Sequence, residues 1–221
     1  MLRSLVFSAS LVLFGAAHAQ TAPSRSDVAS YDGLHRAAHE GQAGEIARLV
    51  AAGADPNVRD PAGRTPAHVA AFASHDNALT ALAQGGADMN ALEDGVYDVV
   101  TIAAVADDPG MVSLAMSLGN KADLITSVYE GTALIAAAHL GHAEVVARLV
   151  AGGAPLDHIN NLGWTAVMEA VVLGNGGADH VRTVQILVEA GADTSLSDRD
   201  GVTPLQHARS RGYAEIVSLL E

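Results

Sequence analysis

The 221 residues contain no cysteine. That excludes disulfides and thiolate metal sites, so packing and hydrogen bonds must hold the fold together. Aromatic residues make up only 4% of the chain, which excludes a core built on large rings and leaves small aliphatic side chains to fill it. Basic residues are also scarce: 12 Lys and Arg stand against 25 Asp and Glu, a formal charge of −13. Nucleic acid and anionic lipid surfaces need a basic footprint, which this chain does not offer. A neutral or basic protein partner is compatible with such a charge. Beyond the first 17 residues no apolar run is long enough to span a bilayer.

The N-terminus is predicted to be an export signal. Arg3 supplies a positive charge, Leu5 to Ala17 form a short apolar run, and Ala17-His18-Ala19 places small residues where a signal peptidase reads them. Cleavage is expected after Ala19, leaving residues 20–31 as a lead-in and 32–221 as the domain. The mature protein is expected in the periplasm, although full secretion begins with the same signal. Losing Arg3 makes the formal charge −14. About 200 residues are ample for a self-sufficient core without disulfides.

A period of about 33 residues runs through the rest. Gly53-Ala54-Asp55 returns as Gly86-Ala87-Asp88, Lys121-Ala122-Asp123, Gly153-Ala154-Pro155 and Gly191-Ala192-Asp193. A repeat of this length marks a solenoid, in which each unit buries its apolar face only against its neighbours. Within one unit, Gly63-Arg64-Thr65-Pro66-Ala67-His68 reads as a turn, a capping hydroxyl and a proline at the first helical position. Ala70 and Ala71 then let a neighbouring helix approach, and Gly86 ends a second helix in the left-handed conformation. The same pattern begins at Gly131, Gly163 and Gly201, and Asp32 and Asp98 stand in the capping threonine's place.

These residues resemble the ankyrin repeat over residues 31–221, in six units. The resemblance implies an all-α solenoid of paired helices joined by β-hairpin-like fingers. Two units depart from the pattern. The third lacks the Thr-Pro turn and has two extra residues near Asn120-Lys121. The fifth carries about five extra residues around Asn175–Asp179, expected to protrude as a mobile loop away from the fingers.

The resemblance also implies where a partner docks: the finger tips and the concave face of the first helices. Near the end of each first helix the middle units carry Phe72, Val105, His139, Leu140, Val172 and Leu173, mostly apolar. Tyr97, Tyr129 and Trp164 recur at finger tips, 32 and 35 residues apart, and aromatic anchors are enriched at interface hot spots. Arg59 and Arg64 flank this stripe. Packing between units is the competing explanation for the same residues.

Catalytic and metal chemistry find little support. There is no Gly-x-Ser-x-Gly elbow, and Asp107-Asp108 and Glu93-Asp94 read as turn residues. His35 and His68 occupy the repeat's turn-histidine position, and His75 and His142 follow first helices. His35 and His39 have metal-ligand spacing without a third ligand. The expectation is therefore a monomeric, non-enzymatic periplasmic scaffold with no cofactor or metal. Its resemblance to small exported ankyrin proteins of Gram-negative bacteria implies support of a peroxide-removing enzyme such as catalase. The rival readings are an immunity-type protein masking a toxin, a ligand or haem carrier using the histidines, and self-association.

Overall fold

The computed structural model describes residues 20–221; the expected export leader and the expected cleavage after Ala19 lie outside the described residues. Among the described residues there are thirteen helices and no strand. A short helix, α1 (Arg25–Ser30), precedes the repeats and starts with a reciprocal cap between Ser24 and Asp27. Six helix pairs follow. They are α2 (Gly33–His39) with α3 (Ala43–Ala51), α4 (Pro66–Phe72) with α5 (Asp76–Gln84), and α6 (Val99–Val105) with α7 (Pro109–Ser117). The remaining three are α8 (Ala133–Leu140) with α9 (Ala143–Ala151), α10 (Ala166–Val172) with α11 (Ala178–Glu189), and α12 (Pro204–Arg211) with α13 (Ala214–Leu220).

The first helices start where the cap residues stand. Asp98 accepts from the Thr101 amide at 2.8 Å, and Thr132, Thr165 and Thr203 cap α8, α10 and α12 in the same way. Asp32, expected to cap α2, makes no side-chain cap bond. At α4 the Thr65 amide donates to Nδ1 of His68 at 3.0 Å. Paired small residues, Ala37-Ala38, Ala70-Ala71, Ala103-Ala104 and Ala137-Ala138, are buried between successive first helices. Ile46, Leu79, Leu82, Met111, Val145 and Leu149 fill the seam with the second helices. One apolar core runs from Tyr31 to Leu220. Large rings are absent from most of it because the helices sit close enough for alanine and valine to fill the gap.

Between the pairs lie the fingers, numbered here by the unit they lead into. Across each base a backbone bond closes the finger, with Asp60, Glu93, Asn160 and Asp198 donating to the residue four ahead; Thr126 reaches five ahead, to Gly131. An acceptor side chain folds each tip: Asp60 takes the amides of Ala62 and Arg64, Asn160 those of Leu162 and Trp164, and Ser127 those of Tyr129 and Gly131.

A second set of bonds ties unit to unit at the opposite edge. His75 Nε2 reaches the His39 carbonyl at 3.1 Å, His142 Nδ1 that of Ala104 at 2.9 Å and His180 Nε2 that of His139 at 3.0 Å. The Tyr213 hydroxyl does the same to the Gly174 carbonyl at 3.1 Å. Each bond satisfies a carbonyl at or just past the end of a first helix, where intrahelical partners run out. The expected protruding loop of unit five is corrected by this packing. Its residues are partly absorbed into α11, which has 12 residues, and a Cβ on Gly176 would run into the Tyr213 ring.

Candidate protein-binding groove

Finger three is set by His68. With Nδ1 accepting from Thr65, the proton sits on Nε2, which faces the carbonyls of Ala91 and Tyr97 at 3.0 and 3.2 Å. Burial pushes this imidazole down to about 4, against an ordinary 6.5, so it stays neutral. The Tyr97 amide also donates to Glu93 Oε1 at 3.1 Å. The ring therefore hangs from a backbone fixed at both ends. Burial, then the nearby Glu93 and Tyr129, raise the Tyr97 phenol above its usual range.

Finger four supplies the facing wall. Thr126 is buried and accepts from the Thr101 hydroxyl at 2.6 Å, which docks the finger on α6. Its other side remains apolar and open: Ile125 is 52% and Val128 47% exposed. Two fingers break the pattern that places glycine at the penultimate tip position. Val96 and Glu130 adopt φ of 63° and 55° there, where Gly63, Gly163 and Gly201 sit in the other fingers. A β-branched residue in this region is strained, and such strain gathers at functional sites.

Between these fingers lies a mainly apolar groove of about 310 Å³, floored by Ile135 and Ala136 of α8. Five of the eleven residues expected at an interface line it: Tyr97, Val105, Tyr129, His139 and Leu140. Gln20 of the lead-in reaches the same groove. Phe72, Trp164, Val172 and Leu173 are half-buried and lie outside its lining, and Phe72 packs on the core. Arg59 is exposed and bridges fingers two and three, its guanidinium donating to the carbonyls of Gly63 and Leu92.

Arg64 is a correction. It does not flank an open surface: its side chain is 4% exposed and pairs with Asp60 at 2.7 Å and Asp27 at 2.9 Å. Burial alone would raise the Asp60 carboxyl, but hydrogen bonds from the Tyr31 hydroxyl and Arg64 outweigh it and hold it below the usual range. Asp27 is likewise held down, chiefly by Arg64. A cation buried among such partners is structural.

Sequence reasoning missed Glu169. It occupies the position four past the cap threonine, where other units carry Arg36, Val69, Ile102, Ala136 and His207. Here the side chain is 5% exposed and lines the groove. Asn160 donates to its Oε1 at 2.9 Å. An acid where units two to four carry Val69, Ile102 and Ala136 was the available signal. The exposed Ile125, Val128 and Ile159 were also missed, since attention to rings passed over aliphatic finger residues.

Among the described residues no three His, Cys, Asp or Glu side chains group as metal ligands, and none of the helices could cross a membrane. His35 instead bonds the Arg64 carbonyl at 2.9 Å and stacks on Tyr31.

Family profiles of ankyrin repeats match residues 34–83, in the many-copy form, and 100–198, in the three-copy form. The ankyrin repeat protein YahD of Escherichia coli K12 is 34% identical over 186 residues, 83% of this chain and 92% of its own length. The chain belongs to the ankyrin-repeat family. A solved ankyrin repeat domain from Acinetobacter baumannii AYE superposes with a TM-score of 0.79 at 40% identity, covering 85% of this chain and 95% of that one. The same fold occurs in a solved complex of a predatory endopeptidase from Bdellovibrio bacteriovorus with an immunity protein. There the TM-score is 0.70 at 23% identity, over 86% of this chain and 97% of that chain. Ankyrin repeats are protein-interaction modules and in general non-enzymatic, which agrees with a surface whose most developed feature is an apolar groove.

Proposed function

We propose that this ankyrin-repeat protein is a non-enzymatic scaffold of the periplasm that binds one protein partner along its concave face and finger tips. The observation that carries the reading is the groove between Tyr97 and Tyr129, where a solenoid kept only for packing would have closed over its apolar side chains. The export leader supports the compartment, and the resemblance to small exported ankyrin proteins supports a peroxide-removing enzyme such as a catalase as the partner.

The test is affinity capture from a periplasmic extract of the native host, comparing wild type with Tyr97→Ala/Tyr129→Ala after circular dichroism has shown that the variant folds. One protein recovered by wild type and lost with the variant sustains the reading; retention by the variant removes the groove from it. Peroxide sensitivity on deletion of the gene supports the defence role. A second reading, masking of a toxin, draws on the immunity complex that shares this fold. Stoichiometric inhibition of a captured hydrolase would replace the supporting role with that one.

A further inference from the structure

The groove is mainly apolar, and Glu169 is the only carboxylate in its lining. Glu169 sits at its wall with Oε1 bonded to Asn160, while Oε2 is buried and accepts no hydrogen bond. The nearest cationic candidate, Nδ1 of His139, stands 3.3 Å from Oε2, close enough for charge attraction when the ring is protonated but not aligned as a hydrogen bond. His139 is itself about half exposed. Gln20 also reaches the groove, and its amide nitrogen is likewise buried without an acceptor. The lead-in thus presents a neutral donor where the wall offers an acceptor.

A buried carboxyl oxygen without a partner is costly to keep, so its persistence in a binding surface asks for an incoming donor. The walls specify which kind. Tyr97 and Tyr129 line the same groove as the carboxyl and offer rings of the kind that attract cations, and a guanidinium or an ammonium carried on an aliphatic stem matches a site that is mainly apolar and acidic at one point. The chain's charge of −13 favours the approach of such a group. From this we infer that the groove receives a basic side chain, arginine or lysine, presented by the partner protein, with Glu169 as its counter-ion. The inference rests on the groove being the docking surface.

The test uses Nα-acetyl-arginine amide, Nα-acetyl-lysine amide and the uncharged isostere Nα-acetyl-citrulline amide, titrated into isotopically labelled protein. Binding is read from the amide resonances of Tyr129, Gly131, Ile135 and His139. The charged probes should bind at least tenfold more tightly than citrulline, and Glu169→Gln should erase that ratio while keeping the acceptor for Asn160 and the melting temperature. Equal binding of all three probes, no binding of any, or a ratio unchanged in Glu169→Gln overturns the inference. Partner capture separates the two levels. A partner lost with Tyr97→Ala/Tyr129→Ala but kept at full affinity by Glu169→Gln leaves the scaffold standing and removes the basic anchor. A partner kept by both variants removes the groove itself.

Discussion

Fingers two and four each fold their tip on one acceptor side chain and have opposite surroundings. Finger two is locked: Asp60 and Arg64 pair in the interior, Tyr31 and Asp27 complete the network, and the Thr21 carbonyl accepts from Arg64 at 3.3 Å. Finger four is held by hydroxyls, Thr101 to Thr126 and Ser127 to its own tip, and turns Ile125 and Val128 to the solvent. One framework therefore supports a finger that closes the N-terminal end of the stack and a finger whose apolar side stays open to solvent. In finger two charge is buried in closure, whereas in finger four the exposed side chains are apolar.

The contrast can be broken from its locked side first. Arg64→Ala strands the buried Asp60 carboxylate and should cost about 3 kcal/mol, since removing one member of a buried pair is far worse than lacking both. Urea unfolding measures it; a midpoint shift as small as that of a surface substitution would show the network to be ornamental. Next in size is acid. The unfolded chain takes up a proton at His68 as pH falls through 6.5, whereas the folded chain does so only near 4. Stability is therefore full above about 6.5 and lost between the two values, by about 3 kcal/mol at about 1.4 per tenfold in proton affinity. His68→Thr, the residue that unit three uses at Thr101, should flatten the dependence of the urea midpoint on pH. An unchanged slope would place the titration elsewhere.

Smaller effects sharpen the open side. Val96→Gly relieves a β-branched residue at φ 63° and should raise stability by about 1 kcal/mol. The reverse exchange, Gly63→Val, should cost more, because a Cβ there would collide with the Asp94 carboxyl as well. A paired thermal melt checks both signs. Ile125→Ser with Ile159→Ser should move stability by less than about 0.5 kcal/mol, as exposed positions do, yet weaken partner capture. A large loss of stability instead would mean these side chains are packed.

Much of this was legible from the chain. The cap residues, the Gly-Ala-Asp period and the small alanine pairs each report a local requirement, and the helices formed where those requirements were met. What failed involved distance. Arg64 looks like a solvent residue at a turn until Asp27, 37 residues earlier, folds back over it. The insert of unit five looks like a loop because glycines promise freedom, whereas Tyr213 and His180 pack over that corner from later in the chain. Glu169 reads as an ordinary helical acid until Asn160 takes one oxygen and the groove encloses the other. Trp164, the most conspicuous residue in the sequence, stands outside the groove lining.

The bonds along the edge opposite the fingers carry one more implication. His75, His142, His180 and Tyr213 each fasten a unit to the one before it, but in unit three the corresponding residue is Asp108, which turns inward to cap its own helix at Met111. At that junction α5 and α7 are also the least closely packed of the neighbouring second helices. The fingers remain joined there, by Arg59 to Leu92 and Asp94 to Ala62. The stack thus has a spine that is buttoned at every junction but one, with the fabric continuous on the other side. Pulled or mildly heated, it should bend open at that gap about the fingers, as hydrogen exchange in α5 ahead of α9 would reveal. The three units that wall the groove, with the unit that follows them, would then move as one piece.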